Sequence, residues 1–505
     1  MKGVLVAPRC QAVNRSKDQS LPPKSSWTRR QFLAAGSVAL LPLTSPRMLG
    51  AHAPSSHHHV PEFRRPLPIP DVLSPVRRDA TTDYCEIVQK EVSAEILPGI
   101  RTRIWGYNGS FPGPTIEARR GRSTVVTYTN RLDVPTVAHL HGGVTRPESD
   151  GFPTDTVAPG ESRRCQYDNT GRAATLWYHD HSSHGAGHNL YMGLAGLYLL
   201  KDADEVDGQL PHGSYDIPLL LQDRAFTADG ELEYDHQRHH GVTGRVMLVN
   251  GAPWPVLEVA ARKYRFRIVN GSNALPIRLA LSTHQPIIQI ATDQGLLPSP
   301  VVSSTIPLAM AERAEVVIDF SRCPLGSKVV LENRRGDGPL KRVMRFDVVR
   351  RERDDSIVPA RLADVESLPP SQAVCTRTFV FGGKPTLAVP PGVHWVINGQ
   401  TFDASRVDAA PRLGDIEIWR FINRGFLGQT MLHPVHTHLA PFQILRRNSG
   451  APLRQEIGWK DTVAIEDGEE VDVIVRWSGY RGRYLLHCHN LEHEDHSMMA
   501  RVDVV

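Results

Sequence analysis

The sequence predicts an all-β protein made of three Greek-key sandwich or barrel domains. Three observations carry that prediction. Short runs such as STVVTYTN, KYRFRIVN and EIWRFIN alternate apolar and polar residues, the period of a half-buried strand. The 39 prolines and 40 glycines are spread along the chain as turn formers, and long amphipathic helices are hard to find. The chain also repeats itself at domain length. YNGSFPGPTIEARRGRSTVVTYTNRL begins at Tyr107, LVNGAPWPVLEVAARKYRFRIVNGSN at Leu248 and VINGQTFDASRVDAAPRLGDIEIWRFINRG at Val396. Each copy has an Asn-Gly turn, a short apolar stretch, a second turn and an alternating strand ending at Asn. The turn asparagines Asn108, Asn250 and Asn398 are 142 and 148 residues apart, a spacing too long for a solenoid and right for a triplicated domain.

Taken in order, the chain opens on an address. Arg29 and Arg30 precede an apolar run from Phe32 to Leu43, and Ala51-His52-Ala53 follows as a small-residue exit. The run is shorter than the ~20 residues of a membrane helix. Charged start, short apolar core and exit site mark residues 1–53 as a secretory signal, and the paired arginines resemble a twin-arginine export signal. The expected location is outside the cytoplasm, periplasmic or extracellular, with the twin-arginine machinery as partner of the precursor and no membrane span. Removing the signal also changes the charge. The whole chain stands at +4, but residues 1–53 hold eight Lys/Arg and one Asp, so the rest stands at −3. A strongly basic protein of nucleic-acid or membrane surfaces is not indicated. With 40% hydrophobic and 22% charged residues, wholesale disorder is excluded too.

Residues 54–205 make the first domain, with a Pro- and His-rich lead-in over 54–80 that contains His57, His58 and His59. Residues 206–355 make the second. Residues 356–505 make the third, joined by a polar linker over about 351–377.

Histidine is concentrated in four windows. HLHG holds His139 and His141, WYHDH holds His179 and His181, and HPVHTH holds His433, His436 and His438. HCHNLEHEDHSMM holds His487, Cys488, His489, His493 and Met498. All four lie in the first and third domains. On a strand, residues two apart share a face, so each His-x-His pair can place two imidazoles on one metal cluster. In His487-Cys488-His489 the cysteine points the other way, and one strand can then serve two sites. A thiolate with two imidazoles and a weak axial methionine is the ligand set of a blue-copper centre. Cys488, His433, His493 and Met498 fit those roles, and eight paired histidines remain for a multinuclear cluster. Zinc sites are four-coordinate and often rich in thiolate, which one cysteine among ten histidines does not match.

The pattern HxHG, HxH, HPxHxH and HCHxxxHxxxxM resembles the four copper motifs of the multicopper oxidases, complete and in order. HLHGGVTRPESDGFP, LWYHDH, GWKDT and HCHNLEHEDHSMM look most like spore-coat-type laccases and bilirubin oxidases. The resemblance implies three cupredoxin-like Greek-key β-sandwich domains and four copper ions. It assigns His139 and His436 to the type 2 copper. His141, His179 and His489 would hold one type 3 copper, and His181, His438 and His487 the other. The cluster would then sit between the first and third domains, with the second as spacer. The implied reaction is one-electron oxidation of phenols, aromatic amines or tetrapyrroles, coupled to reduction of O2 to water. The edge of His433 or His493 is the expected point where electrons enter.

Reduction of O2 consumes protons, and Glu494 and Asp150 match acids that the spore-coat laccases place near the cluster. His184, His188 and His496 lie near ligands but match no ligand position, His239 and His240 read as a loop, and His284 and His394 as structural. Cys85, Cys165, Cys323 and Cys375 permit three disulfide pairings, of which Cys85–Cys165 lies within one domain. Two other roles use the same ligands or fold: a cuprous oxidase of copper resistance, and a copper-free envelope scaffold. Nine methionines without a cluster beyond Met498-Met499 argue against the first, and the complete ligand set against the second.

Overall fold

The computed structural model describes residues 60–505 apart from 203–207, 387–391, 427–429 and 449. The signal and His57–His59 lie outside the described residues. About 48% strand against 7% helix makes the protein all-β. Six sheets account for the strands, and each draws on one stretch of chain. Strands between Arg77 and Lys201 form two sheets, those between Asp216 and Arg350 two more, and those between Cys375 and Val504 the last two. Each pair of sheets encloses its own apolar core, centred on residues such as Tyr178, Phe266 and Trp419. Among the described residues no helix is long and apolar enough to cross a membrane.

The triplication extends to the strand ladders. Thr82–Glu95 pairs antiparallel with Arg101–Tyr107 and parallel with Ser123–Asn130. Asp216–Arg224 does the same with Val246–Val249 and Lys263–Asn270, and Cys375–Thr386 with Gly392–Ile397 and Ile416–Asn423. The repeated asparagines explain why. Asn108, Asn250 and Asn398 adopt φ of 55, 49 and 52°, where Asn is tolerated, and each is followed by a left-handed Gly. Their side-chain oxygens accept from the N–H of Val88, Leu220 and Val380, all at 2.8 Å, so the turn bonds across to the first strand. The strand-ending Asn130, Asn270 and Asn423 are fully buried and act as clamps. Each donates twice through Nδ2, Asn423 to the carbonyls of Met431 (2.7 Å) and Ile465 (3.1 Å).

Cys85, Cys165 and Cys323 are free buried thiols, and Cys375 is disulfide-bonded. The permitted Cys85–Cys165 pairing does not form. Both residues are in register with Val126, on opposite sides of it. Two strand spacings put their Cα atoms ~10 Å apart, beyond the ~7 Å reach of a disulfide.

Candidate metal centre

Local strand geometry builds the mononuclear site. Gly482–Cys488 pairs antiparallel with His433–Thr437, placing Cys488 opposite Val435 and His487 opposite His436. The pleat turns Cys488 toward one side and His487 toward the other. The short helix Leu491–Asp495, with Asn490 at its start, delivers His493. His433 Nδ1 and His493 Nδ1 lie 3.1 Å apart, and Cys488 Sγ is 3.4 and 3.5 Å from them. Met498 is fully buried beside them; its N–H donates to the His493 carbonyl and its own carbonyl accepts from Cys488 N–H. Burial pushes the Cys488 thiol up, a penalty that a bound cation reverses.

The other eight histidines meet between the first and third domains. Ala138–His141 pairs with Ala174–Asp180, setting His139 opposite His179. Three groups of three ligand atoms converge to within 4.8 Å: His139, His141 and His436; His141, His179 and His489; His181, His438 and His487. The Nε2 atoms of His181 and His438 are 3.3 and 3.2 Å from that of His487, and those of His179 and His489 are 3.4 Å apart.

Most of the other ring nitrogens bond outward, while His181 Nδ1 and His489 Nδ1 are buried without a partner. His139 Nδ1 donates to the Asp150 carbonyl (2.5 Å), His179 Nδ1 to that of Asp180 (2.8 Å) and His436 Nδ1 to that of Asp461 (2.8 Å). His438 Nδ1 donates to Asp150 Oδ2 (2.7 Å). His141 is reversed: its Nε2 meets Asp461 Oδ1 and Thr462 Oγ1, both at 3.1 Å. What remains inside are buried nitrogens with no partner, among them His139 Nε2, His141 Nδ1 and His436 Nε2. Burial holds His139, His141, His179, His438, His487 and His489 well below the usual imidazole range, hence neutral and able to bind metal. Inward-facing neutral nitrogens with fixed outer partners fit a cluster of imidazole-bound metal ions.

Both expected acids reach the cluster. Glu494 is buried, with Oε2 3.1 Å from His487 Nδ1 and Oε1 3.6 Å from His181 Nε2. Asp150 is fully buried; desolvation pushes its carboxyl up to about 7 against the Thr145 hydroxyl, which donates to it. Sequence reasoning missed a third acid, Asp461, which touches His141 and, through its carbonyl, His436. Its only signal was its place in GWKDT, next to Thr462, the ladder partner of His436.

Neither His433 nor His493 reaches the surface, and the Nε2 atoms of both are buried. Trp395 packs against His493 with ring centroids 3.9 Å apart and planes tilted by 33°, and its Nε1 donates to the His239 carbonyl (2.6 Å). His239 and His240, expected as a loop, belong to a turn of the second domain that covers this site. His239 stacks on His496 at 3.8 Å, His184 is exposed and donates to the Asp495 carbonyl, and His188 packs edge-on against Trp105.

The chain is similar in sequence and fold to known proteins. Family profiles described as multicopper oxidase match residues 89–205 and 368–505. A laccase of Bacillus subtilis is 35% identical over 88% of this chain and 98% of its own. A bilirubin oxidase of Albifimbria verrucaria is 37% identical over 87% of this chain and 81% of its own. The crystal structure of a multicopper oxidase from Pediococcus acidilactici superposes with a TM-score of 0.82 at 32% identity, covering 88% of this chain and 92% of that one.

Proposed function

The chain belongs to the multicopper oxidase family, and from that membership we propose how its site is used. The protein is a laccase-type oxidoreductase with O2 as acceptor and four coppers as cofactor. His433, Cys488, His493 and Met498 hold the type 1 copper, and His139 and His436 the type 2 copper. His141, His179 and His489 hold one type 3 copper; His181, His438 and His487 hold the other. The observation that carries this assignment is the convergence of bare buried nitrogens from two domains, with one thiol set apart on the opposite face of the same strand.

Bound copper would supply the one-electron oxidation of a reducing substrate and the four-electron reduction of O2 to two waters. The chain supplies everything else. The backbone from Cys488 to His487 and to His489 is the shortest covalent link between the two ligand sets. Burial of all ten histidines excludes bulk water from both. Glu494, against His487 and His181, and Asp150, against His438, hold protons where the four consumed in O2 reduction are needed. Trp395 and the turn through His239 and His240 separate substrate from His493. Substrate therefore docks on that cover and passes electrons across it, with no contact to a ligand imidazole.

The laccase and bilirubin oxidase relatives support an electron-rich aromatic substrate, a phenol, aromatic amine or tetrapyrrole. Oxygen uptake by the copper-loaded protein with a phenol, bilirubin and Cu(I) tests this. Turnover of the phenol or bilirubin well above that of Cu(I) is expected; turnover of Cu(I) alone would make the protein a cuprous oxidase, and a purified protein that binds no copper and has no blue band would make it the copper-free scaffold. The motif at Arg29-Arg30 supports export to the periplasm or medium. A chain lacking residues 1–53 is expected to stay inside the cell, and its continued export would contradict the twin-arginine reading.

A further inference from the structure

Among the described residues the second domain supplies no ligand to either site, yet it reaches the carboxylate beside the cluster through Arg313 and Gln294. Arg313 is fully buried, and every N–H of its guanidinium is used. Nε donates to the Thr175 carbonyl (3.1 Å) in the first domain. Nη1 donates to the Ala311 carbonyl (3.0 Å) and to Asp461 Oδ1 (2.7 Å). Nη2 donates to the Asp293 carbonyl (2.9 Å) and to Asp461 Oδ2 (2.5 Å). The fork is bidentate on a carboxylate of the third domain, a geometry that fixes the plane of the acid.

That carboxylate in turn fixes a ligand. Asp461 accepts only, since Gln294 Nε2 (2.6 Å) and Thr462 Oγ1 (2.9 Å) also donate to it. The ring nitrogen of His141 that faces it must therefore carry a proton. In His141 that nitrogen is Nε2, which leaves Nδ1 bare toward the cluster, the reverse of His139 and His436. The Thr462 hydroxyl, its one proton donated to Asp461, can only accept from Nε2, so it selects the same tautomer and does so through the same carboxylate. The space is closed as well. Gly142, next to His141, has φ of +83°, and a Cβ there would lie 2.6 Å from Asp461 Oδ2 and 2.7 Å from Arg313 Nη2.

We propose that Arg313 is a positioning residue for the O2-reducing cluster: by clamping Asp461 it sets the tautomer and ring orientation of His141, so the second domain takes part in building a site to which it gives no ligand. This rests on the ligand assignment above. Loss of such an outer partner weakens metal binding by roughly 10–100-fold.

The test compares the mature chain with its Arg313→Gln and Arg313→Lys variants. In the copper-free proteins, histidine 15N NMR reads the tautomer of His141. In the loaded proteins, copper per chain, the blue band and the ultraviolet band of the coupled pair are read beside circular dichroism. Wild type is expected to show protonated Nε2 at His141 and four coppers. Arg313→Gln is expected to show mixed tautomers, to keep the blue type 1 copper and to lose cluster copper at dilutions where wild type retains it. Arg313→Lys keeps the charge without the fork; it is expected to fold and to lie between the two. Wild-type tautomer and full cluster copper in either folded variant would overturn the inference. Absence of a blue copper in wild type would instead overturn the ligand assignment, so the two failures are distinguishable.

Discussion

Each histidine ligand candidate with a fixed outer partner follows one economy: one ring nitrogen bonds a carbonyl or carboxylate, and the other faces the cluster. Glu494 stands apart from this pattern because its Oε1 lies 3.6 Å from His181 Nε2, a nitrogen that faces the cluster. Glu494→Gln keeps shape and removes the proton carrier. O2 reduction is expected to slow by about 10²–10⁴-fold, the usual reach of a positioned acid. Anaerobic bleaching of the blue band by a phenol should be unchanged. Equal steady-state turnover would remove Glu494 from the proton path. At this scale the candidate ligands were legible because they fall in four short windows with a strand's spacing. Asp461 and Arg313 were not. Asp461 lies 320 residues from His141 and 148 from Arg313, and a hydrogen bond between distant residues leaves no local pattern.

The elements behave as alternation and turn chemistry dictate. The parallel pairing of Thr82–Glu95 with Ser123–Asn130, and its two repeats, could not be read from either strand alone, because partner choice is tertiary. The helices Ala186–Met192 and Leu491–Asp495 also escaped, being too short to display a 3.6-residue period. The strand-ending asparagines were visible as a repeat, but their clamping role was not. Asn423 ties Met431 and Ile465 together, and Ile465 is the ladder partner of His433. Asn423→Ala leaves these buried carbonyls unpaired. It is expected to lower stability by about 2–4 kcal/mol and to bleach the blue band at lower temperature. A melting temperature equal to wild type would show that the clamp carries no load.

At the scale of the whole molecule, three copies of one sandwich have divided the work. The first and third copies face each other with eight imidazoles, and the second braces them. Interdomain burial is apolar at Trp177, Val269 and Leu491, one from each copy, and polar at Lys460, which bridges Asp293 and Glu312. The electron path depends on one strand carrying Cys488 on one face and His487 on the other, so removing the thiol should separate the two sites cleanly. Copper content, the blue band and phenol-driven oxygen uptake of Cys488→Ser test this most directly. The expected protein keeps its β-sheet circular dichroism and its three cluster coppers, loses the blue band and does not turn over. A variant that stays blue, still oxidises the phenol, or gives up all four coppers at once would contradict the account.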